Sequence, residues 1–264
     1  MVDADNGKVI IKAGEKVTPR AVKTLIEEEK IQHALFVPAV ILFLVQHPDA
    51  AHTDFSSLKT VIYGASPITD DTLIKAMELM QCDFWQVYGL TETNGAITFL
   101  YPEDHDVSRG KLRSCGKAGK DVGLRVVDSD DNDVPTGEVG EVIIKSLNNM
   151  KGYWNRPEAT EESIKDGWFY SGDIGYFDDE GFLYIHDRVK DMIVSGGENI
   201  YPAEVENALL SHPQIADAAV IGIPDDKWGE ATKAFIVQTE GDPLKESDVI
   251  SYVRTQIAGY KCPK

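Results

Sequence analysis

Cysteine is scarce in this chain of 264 residues, and the three that occur, Cys82, Cys115 and Cys262, lie far apart. Their number is odd and no two stand in a CxxC pair. The sequence therefore predicts free thiols in a reducing cytosol rather than a disulfide framework. The six histidines are scattered, and none stands in an HExxH or similar spacing, so no metal-site motif is visible.

Long apolar runs are also missing. The longest extends from Ala34 to Val45 and contains Pro38, whereas a helix needs roughly 20 apolar residues to cross a bilayer. No signal-peptide pattern is visible at the N-terminus. The sequence therefore predicts a cytoplasmic protein without a transmembrane segment.

Basic side chains are outnumbered. Twenty-six lysines and arginines stand against 44 acidic residues, for a formal net charge of −18. A surface of this sign repels the phosphate backbone of nucleic acids and an anionic membrane face. We therefore expect small-molecule partners and no nucleic acid.

Residues 1–105 show apolar runs that alternate between strand-like and helix-like patterns. Four strands are predicted at Val9–Ile11, Leu35–Val37, Thr60–Tyr63 and Phe84–Tyr88, the second and third of them buried. Helices are predicted from Pro19, through Leu42 and Val45, and from a cap at Thr69 or Asp70. Strands that alternate with helices at this spacing indicate a parallel sheet.

The pattern changes after residue 105. Residues 106–187 carry short strand-like runs between Gly- and Asp-rich turns, which predicts an antiparallel, barrel-like region. From about residue 191, helices and strands mix again, with helices expected near Pro202–Leu209 and Ser247–Gln256. The fold class is therefore α/β, with a parallel-sheet portion, a β-rich portion and a small mixed C-terminal domain. We place the two domains at 1–189 and 190–264.

Polar residues follow two of the predicted strands at their carboxyl ends, where α/β sheets bind ligands. Thr91 and Glu92 follow the strand that contains Gln86–Tyr88. A hydroxyl can hold a phosphate oxygen, and a carboxylate can hold Mg²⁺. The run Gly64–Pro67 ends the preceding strand, and its small residues would let the backbone approach a flat ligand. Taken alone, the Thr-Glu pair is more typical of a plain turn, and Gly64–Pro67 is equally typical of a strand-to-helix turn.

Two later segments carry further candidates. Asp173 ends the run Gly167–Asp173, and an aspartate fixed on a tight turn can accept both hydroxyls of a ribose. The charged stretch Asp187–Pro202 lies at the expected domain boundary and could act as a hinge. Its Gly196 and Gly197 could flank a thin ligand arm. A β-turn aspartate and a linker before a hairpin are the ordinary alternatives.

These four segments, in this order, resemble the adenylate-forming superfamily of acyl-CoA synthetases, peptide-synthetase adenylation domains and beetle luciferases. Supporting matches lie at Pro135–Glu141, Gly152–Trp154, Pro202–Glu206 and Pro224–Glu230. The resemblance covers nearly the whole chain. It implies a reaction of a carboxylic acid with ATP to give an acyl-adenylate and pyrophosphate, after which CoA displaces AMP. ATP, Mg²⁺ and CoA are the implied cofactors.

The resemblance also implies roles for single residues. Thr91 would contact the α-phosphate, and Glu92 would hold Mg²⁺. Asp173 would hold the ribose hydroxyls beside Arg188, and Lys190 would be the hinge between the half-reactions. The remaining implied contacts are to the adenine and part of the acyl pocket from Gly64, Ala65, Ser66, Tyr88 and Gly89, to the pantetheine arm from Gly196 and Gly197, and to the CoA phosphates from Lys264.

Two family features have no counterpart in this sequence. The Ser/Thr/Gly-rich phosphate loop is expected before the first residue, and the catalytic lysine shortly after Pro263-Lys264. The expectation is therefore a fragment that is inactive by itself. Ser171 replaces the threonine usual in the family. A non-catalytic nucleotide-binding fragment and an adenylation domain that loads a carrier protein are the alternatives, and the acid, the acceptor and the oligomeric state stay open.

Overall fold

A computed structural model describes Val22, residues 26–239 and residues 243–264. The predicted strand Val9–Ile11 and most of the helix predicted from Pro19 lie outside these residues. The chain divides into two compact units: residues 1–122 with 146–150, and residues 123–145 with 151–264. The domain boundary predicted near Lys190 lies inside the second unit and stays a prediction.

The first unit is built on a five-stranded sheet with its strands in sequence order. These are β1 (His33–Phe36), β2 (Thr60–Gly64), β3 (Asp83–Leu90), β4 (Gly95–Leu100) and β5 (Lys117–Ala118). The pairs β1–β2 and β2–β3 are parallel, which confirms the predicted parallel sheet. Strands β4 and β5 add antiparallel pairs that the sequence did not predict.

Two helices connect the parallel strands, α1 (Pro38–Gln46) and α2 (Asp70–Met80). Thr69 caps α2, because its hydroxyl accepts a hydrogen bond from the Thr72 amide. Asp70 and Asp71 lie in the first turn, where the helix dipole favours negative charge. Leu73 is fully buried on the inner face. Of the two predicted caps, Thr69 and Asp70, the structure has Thr69.

The core of the first unit lies between α1, α2 and one face of the sheet, and Val22 and Ile26 are buried in it. Strand β1 departs from the prediction of a buried strand, since Leu35 is 71% exposed and Val37 is exposed too. The reason is the strand's alternation: Ala34 and Phe36 pack against the core, and Leu35 points to the other face.

The second unit begins with an antiparallel sheet. Its elements are β6 (Gly123–Val127), β7 (Gly140–Lys145), α3 (Pro157–Ser163), β8 (Ile164–Lys165), β9 (Trp168–Phe177) and β10 (Leu183–Arg188). The order is β10-β9-β7-β6, with β8 paired to β9. The antiparallel pairing is as predicted. The sheet is open rather than barrel-like, because in the described residues β6 and β10 are its two edges and do not pair.

A smaller sheet with two helices completes the second unit. It contains β11 (Ile193–Ser195), β12 (Glu198–Ile200), α4 (Pro202–Leu210), β13 (Ile215–Asp225), β14 (Gly229–Gln238) and α5 (Glu246–Val253). The strand order is β12-β11-β14-β13. Val205 and Leu209 of α4 and Val253 of α5 are buried against this sheet. The mixed α/β character predicted for the chain is thus confirmed.

None of the helices in the described ranges combines the length and the apolar character needed to cross a membrane.

Candidate functional site

The carboxyl ends of β2 and β3 lie side by side in the first unit. Gly64, the last residue of β2, pairs with Val87 of β3. A β-carbon at Gly64 would overlap the Val87 carbonyl oxygen, so the close pairing of the two strands already requires glycine. The segments that follow these strands, Ala65-Ser66 and Thr91-Glu92, therefore leave the sheet at the same edge. Contact of Gly64 with a ligand stays a prediction.

Ala65 adopts an uncommon backbone conformation, with φ at +70°. A residue with a β-carbon costs about 1–2 kcal/mol in this left-handed region. Both Ala65 and Ser66 are exposed. Strained, exposed backbone at the end of a parallel strand is a feature that often marks a ligand site.

Thr91 and Glu92 lie on a single helical turn that joins β3 to β4. Thr93, which sequence reasoning did not single out, is 1% exposed and holds this turn from inside. Its hydroxyl accepts a hydrogen bond from the Leu90 amide at 3.0 Å and lies 2.8 Å from the Gly95 carbonyl oxygen. The Thr91 side chain is exposed and the Glu92 side chain partly so. The turn thus presents a hydroxyl and a carboxylate next to the strand end.

Gly89 and the half-buried Tyr88 lie in the last three residues of β3, just before this turn. A β-carbon at Gly89 would overlap the Gly95 carbonyl oxygen of β4. The hairpin between β3 and β4 therefore needs glycine at this position for packing alone. The adenine contact implied for Tyr88 and Gly89 stays a prediction.

Asp173 lies in a bulge within β9, not on the tight turn that the sequence predicted. Three residues, 171–173, stand opposite Val142 of β7. The Ser171 hydroxyl donates to the Val142 carbonyl oxygen at 2.6 Å and accepts from the Asp173 amide at 3.0 Å. The Gly172 amide donates to the Glu141 carboxylate. The bulge re-aims Asp173 relative to a regular strand.

Arg188 lies opposite Asp173 on the neighbouring strand β10. The Asp173 side chain is buried, and its Oδ1 is 3.2 Å from Arg188 Nε. Burying a carboxylate is costly unless a positive or hydrogen-bonding group accompanies it. The Arg188 side chain is 54% exposed, so the pair reaches the surface on the arginine side. The structure therefore brings together the two residues implied for the ribose.

Burial raises the pKa of the nearby Glu141 carboxyl, and the negative charge of Asp173 adds to the effect. The hydrogen bond from the Gly172 amide acts in the opposite direction. The bulge is thus a place where acidic groups are crowded and partly removed from water.

Lys190 is exposed on a short turn of three residues, 189–191, after β10. A hydrogen bond joins the segments that precede and follow this turn. One carboxylate oxygen of Asp187 accepts from the Ala203 amide at 2.9 Å, and Ala203 lies in the first turn of α4. The Asp187 side chain therefore caps α4 in place of a residue of the helix itself. Sequence reasoning did not find this tie.

Gly196 and Gly197 form the two-residue turn between β11 and β12. Their φ angles are +64° and +88°, which fits the turn type that favours glycine in tight hairpins. The Gly196 amide donates to the Trp228 carbonyl oxygen at 2.7 Å. The Trp228 ring covers the same glycine, since a β-carbon there would lie 2.8 Å from ring atom Cε3.

Trp228 also connects this turn to Lys264. The ammonium groups of Lys264 and Lys227 lie 4.4 Å and 4.6 Å from the centroid of the ring, which is 41% exposed. The Lys264 amide donates to the Thr232 carbonyl oxygen, which fixes the terminal residue against β14. Sequence reasoning treated Trp228 only as part of a family segment. The sequence signal that could have identified Trp228 was its place directly after Lys227.

The candidate residues thus lie in three groups: the ends of β2 and β3 in the first unit, and the β9 bulge and the β11–β12 turn in the second. Two family models match the chain. "AMP-binding enzyme" matches residues 6–154, and "AMP-binding enzyme C-terminal domain" matches residues 204–264. The chain belongs to the AMP-binding, adenylate-forming enzyme family, as its motifs predicted.

Similar proteins of this family are ligases. A long-chain-fatty-acid–CoA ligase, FadD13 of Mycobacterium tuberculosis, is 42% identical over 91% of this chain and 47% of its own length. A fatty acid–[acyl-carrier-protein] ligase, ScoC of Streptomyces coeruleorubidus, is 36% identical over 98% of this chain and 50% of its own. This chain therefore spans about half the length of the curated relatives it matches.

The fold is also similar to solved structures. o-Succinylbenzoate CoA synthetase (MenE) of Bacillus subtilis, in complex with ATP and a magnesium ion, is 35% identical and superposes with a TM-score of 0.82. The match covers 94% of this chain and 50% of that one.

Proposed function

We propose that an enzyme containing this chain is an ATP-dependent acyl-CoA ligase. A carboxylate oxygen of the acid attacks the α-phosphorus of ATP, and the bond from that phosphorus to the β-phosphate oxygen breaks to release pyrophosphate. The CoA sulfur then attacks the acyl carbon, and the bond from carbon to AMP oxygen breaks. The observation that carries this proposal is the buried Asp173 beside Arg188 on neighbouring strands.

Asp173 and Arg188 suit a ribose. A buried carboxylate accepts hydrogen bonds from two adjacent hydroxyls more strongly than a neutral acceptor does. Arg188 offsets the cost of the buried charge and keeps its outer face available to a nucleotide oxygen. The Ser171 hydroxyl donates to the backbone of β7, so we assign it a role in shaping the bulge rather than a contact with substrate.

Thr91 and Glu92 suit the phosphate end of the nucleotide. The Thr91 hydroxyl can donate to an α-phosphate oxygen, where negative charge increases in the transition state. The described residues contain no cluster of three or more acidic, histidine or cysteine side chains that could hold a metal. Glu92 offers one partly exposed carboxylate, which suits Mg²⁺ because this ion often takes one or two carboxylates and completes its shell with phosphate oxygens and water. Bound there, Mg²⁺ would supply charge stabilisation to the phosphates.

Gly196, Gly197 and Lys264 suit the thiol substrate, and we add Trp228. The glycine turn has an exposed tip without side chains, which leaves room for a pantetheine arm. Lys264 and Lys227 supply positive charge for phosphates around one exposed aromatic ring. A carrier protein ends in the same pantetheine group, and the similarity to ScoC keeps a carrier as the second candidate acceptor.

Nucleotide binding to this chain tests the proposal. Asp173→Asn removes the charge and keeps the shape, and we expect AMP to bind at least tenfold more weakly, since a hydrogen bond to a charged group contributes about 1.5–3 kcal/mol. Asp179→Asn removes the same charge from an exposed position in the β9–β10 connection and should leave the affinity unchanged. Calorimetric titration measures both.

A nucleotide lacking the ribose hydroxyls separates the ribose contact from a general effect. The 2′,3′-dideoxy form of AMP should bind the wild-type chain more weakly than AMP, and Asp173→Asn should no longer distinguish the two. Equal affinity of Asp173→Asn and wild type for AMP would refute the assignment. In an enzyme containing this chain, acid-dependent formation of AMP with CoA, compared with a carrier protein, decides the acceptor.

A further inference from the structure

The β11–β12 hairpin is attached to the rest of its sheet by few backbone contacts. Strands β11 and β14 pair at one position, Ser195 with Gly229. Ile193 and Ile200 at the base of the hairpin are buried in the core. The tip, residues 196–199, is exposed. The Gly196 amide also donates to the Trp228 carbonyl oxygen at 2.7 Å, whereas Val194, one residue before the pair, lies outside the β11–β14 pairing. A further group that holds Val194 would strengthen this attachment.

Glu230 supplies such a group. Its Oε2 accepts a hydrogen bond at 2.8 Å from the amide of Val194, the middle residue of β11. The carboxylate thus takes the place of a backbone carbonyl that β14 does not offer to Val194. A hydrogen bond to a charged acceptor is stronger than one between two neutral backbone groups.

The structure makes room for this carboxylate. It lies over Gly222 of β13, where a β-carbon would be 3.1 Å from Glu230 Oε1 and 3.3 Å from the Ile193 side chain. Glu230 is half-buried. The side chain thus lies between Gly222 and the Val194 amide, and a residue larger than glycine at position 222 would displace it.

We propose that Glu230 is a positioning residue for the thiol substrate. Its carboxylate fixes Val194 and thereby holds the Gly196-Gly197 turn against Trp228. The proposal rests on the proposed function, since it assigns the turn to pantetheine. Glu230 itself need not touch CoA. A misplacement of about 1 Å in a positioning element can cost on the order of 100-fold in rate. The bond from Val194 to Glu230 holds the strand beside the glycine turn and so opposes such a misplacement.

Amide hydrogen exchange measures the positioning directly and does not depend on any substrate. We expect Glu230→Ala to speed exchange of the Val194 and Gly196 amides at least tenfold in NMR spectra of the chain. Asp226→Asn, which removes an acidic charge from the exposed β13–β14 connection, should leave both rates unchanged. Unchanged exchange in Glu230→Ala would overturn the proposal.

CoA binding measures the consequence. We expect the dissociation constant for CoA to rise about tenfold in Glu230→Ala, equivalent to about 1.4 kcal/mol. Glu230→Gln should restore most of the affinity, because its amide oxygen can still accept from Val194. Affinity for AMP should stay the same in both variants. If Glu230→Ala does not fold, a small, measurable loss of protection at Val194 in Glu230→Gln carries the test, and its absence refutes the proposal.

The two proposals fail in different ways. A wild-type chain that does not bind CoA contradicts the assignment of the turn to the thiol substrate, whatever the variants do. A wild-type chain that binds CoA, with Glu230→Ala binding it equally well, leaves the ligase proposal intact and removes Glu230 from it.

Discussion

Replacing Gly196 by alanine tests how the turn and the tryptophan depend on each other, and Gly197 offers a matched control. Both glycines have positive φ, so a β-carbon costs about 1–2 kcal/mol at either one. The loss of conformations in the unfolded chain returns about 0.4–1 kcal/mol in both variants. Both effects are about equal at the two positions. A difference in stability between the two variants therefore reports on the atoms that surround each glycine.

The surroundings differ sharply. A β-carbon at Gly197 meets nothing within 4 Å, whereas one at Gly196 lies 2.8 Å from the Trp228 ring. Carbon atoms prefer about 3.5–4.0 Å, so the ring has to move outward. It is partly exposed and can do so, at the loss of its packing and of the Lys264 contact, which is worth about 0.5–1 kcal/mol at an exposed site.

We therefore expect Gly196→Ala to destabilise the second unit by about 1–2 kcal/mol more than Gly197→Ala, in the range of a modest overpacking. Urea unfolding followed by circular dichroism gives the free energies of unfolding. Trp228→Ala in the Gly196→Ala background should remove the extra cost, and the double-mutant cycle should show a coupling of about 1 kcal/mol. Equal destabilisation by the two alanines, with no coupling to Trp228, would show that the ring does not rest on Gly196.

Three further predictions concern the candidate residues Glu92 and Lys190 and the buried His105. Glu92→Gln in an enzyme containing this chain should lower adenylation on the order of 100-fold at limiting Mg²⁺, measured by ATP–pyrophosphate exchange; near-full activity would remove the metal role. Lys190→Pro locks φ near −65° and should preserve adenylation while thioester formation collapses, as rapid-quench measurement of each half-reaction will show; equal slowing of both steps argues against a hinge. Burial lowers the pKa of His105 from its ordinary 6.5, so the unfolded chain binds a proton at this imidazole more readily than the folded chain does. The contribution of His105 to stability is therefore fully present above about pH 6.5 and is lost as the pH falls below that value. The free energy of unfolding should therefore fall less between pH 7.5 and 5.5 in His105→Gln than in the wild type, and parallel profiles would contradict this.

His105 makes a contact that sequence reasoning could not find. The Tyr63 hydroxyl lies 3.0 Å from His105 Nε2, and His105 Nδ1 lies 2.8 Å from the Tyr101 carbonyl oxygen. A carbonyl can only accept, so Nδ1 carries the proton and Nε2 accepts from Tyr63. Forty-two positions separate the tyrosine from the histidine, and no local pattern connects them.

Local signals determined much of the fold. The apolar run at Thr60–Tyr63 and the threonine before α2 act within a few residues of themselves, so β2 and the helix cap could be predicted. The same holds for β6 (Gly123–Val127), which is one of the short strand-like runs expected within residues 106–187. The order of the four polar segments was enough to predict the family.

The tertiary structure alone decided what those segments do for one another. Asp173 was expected on a turn, but the residues of β7 opposite it make it part of a bulge. Gly64 was interpreted as space for a ligand, but its neighbour on β3 already requires glycine. Strand partners are chosen by packing over long sequence separations, and no window of sequence contains both sides of such a pair.

The same reason explains the residues that were missed. Trp228, Glu230 and Asp187 contact Gly196, Val194 and Ala203, each at least 16 positions away. The sequence by itself determined which residue types were present for nucleotide and thiol chemistry. Only the folded chain determined which side chains hold the glycine turn and the helix beside it, because these contacts exist only once β14 and α4 have packed against their partners.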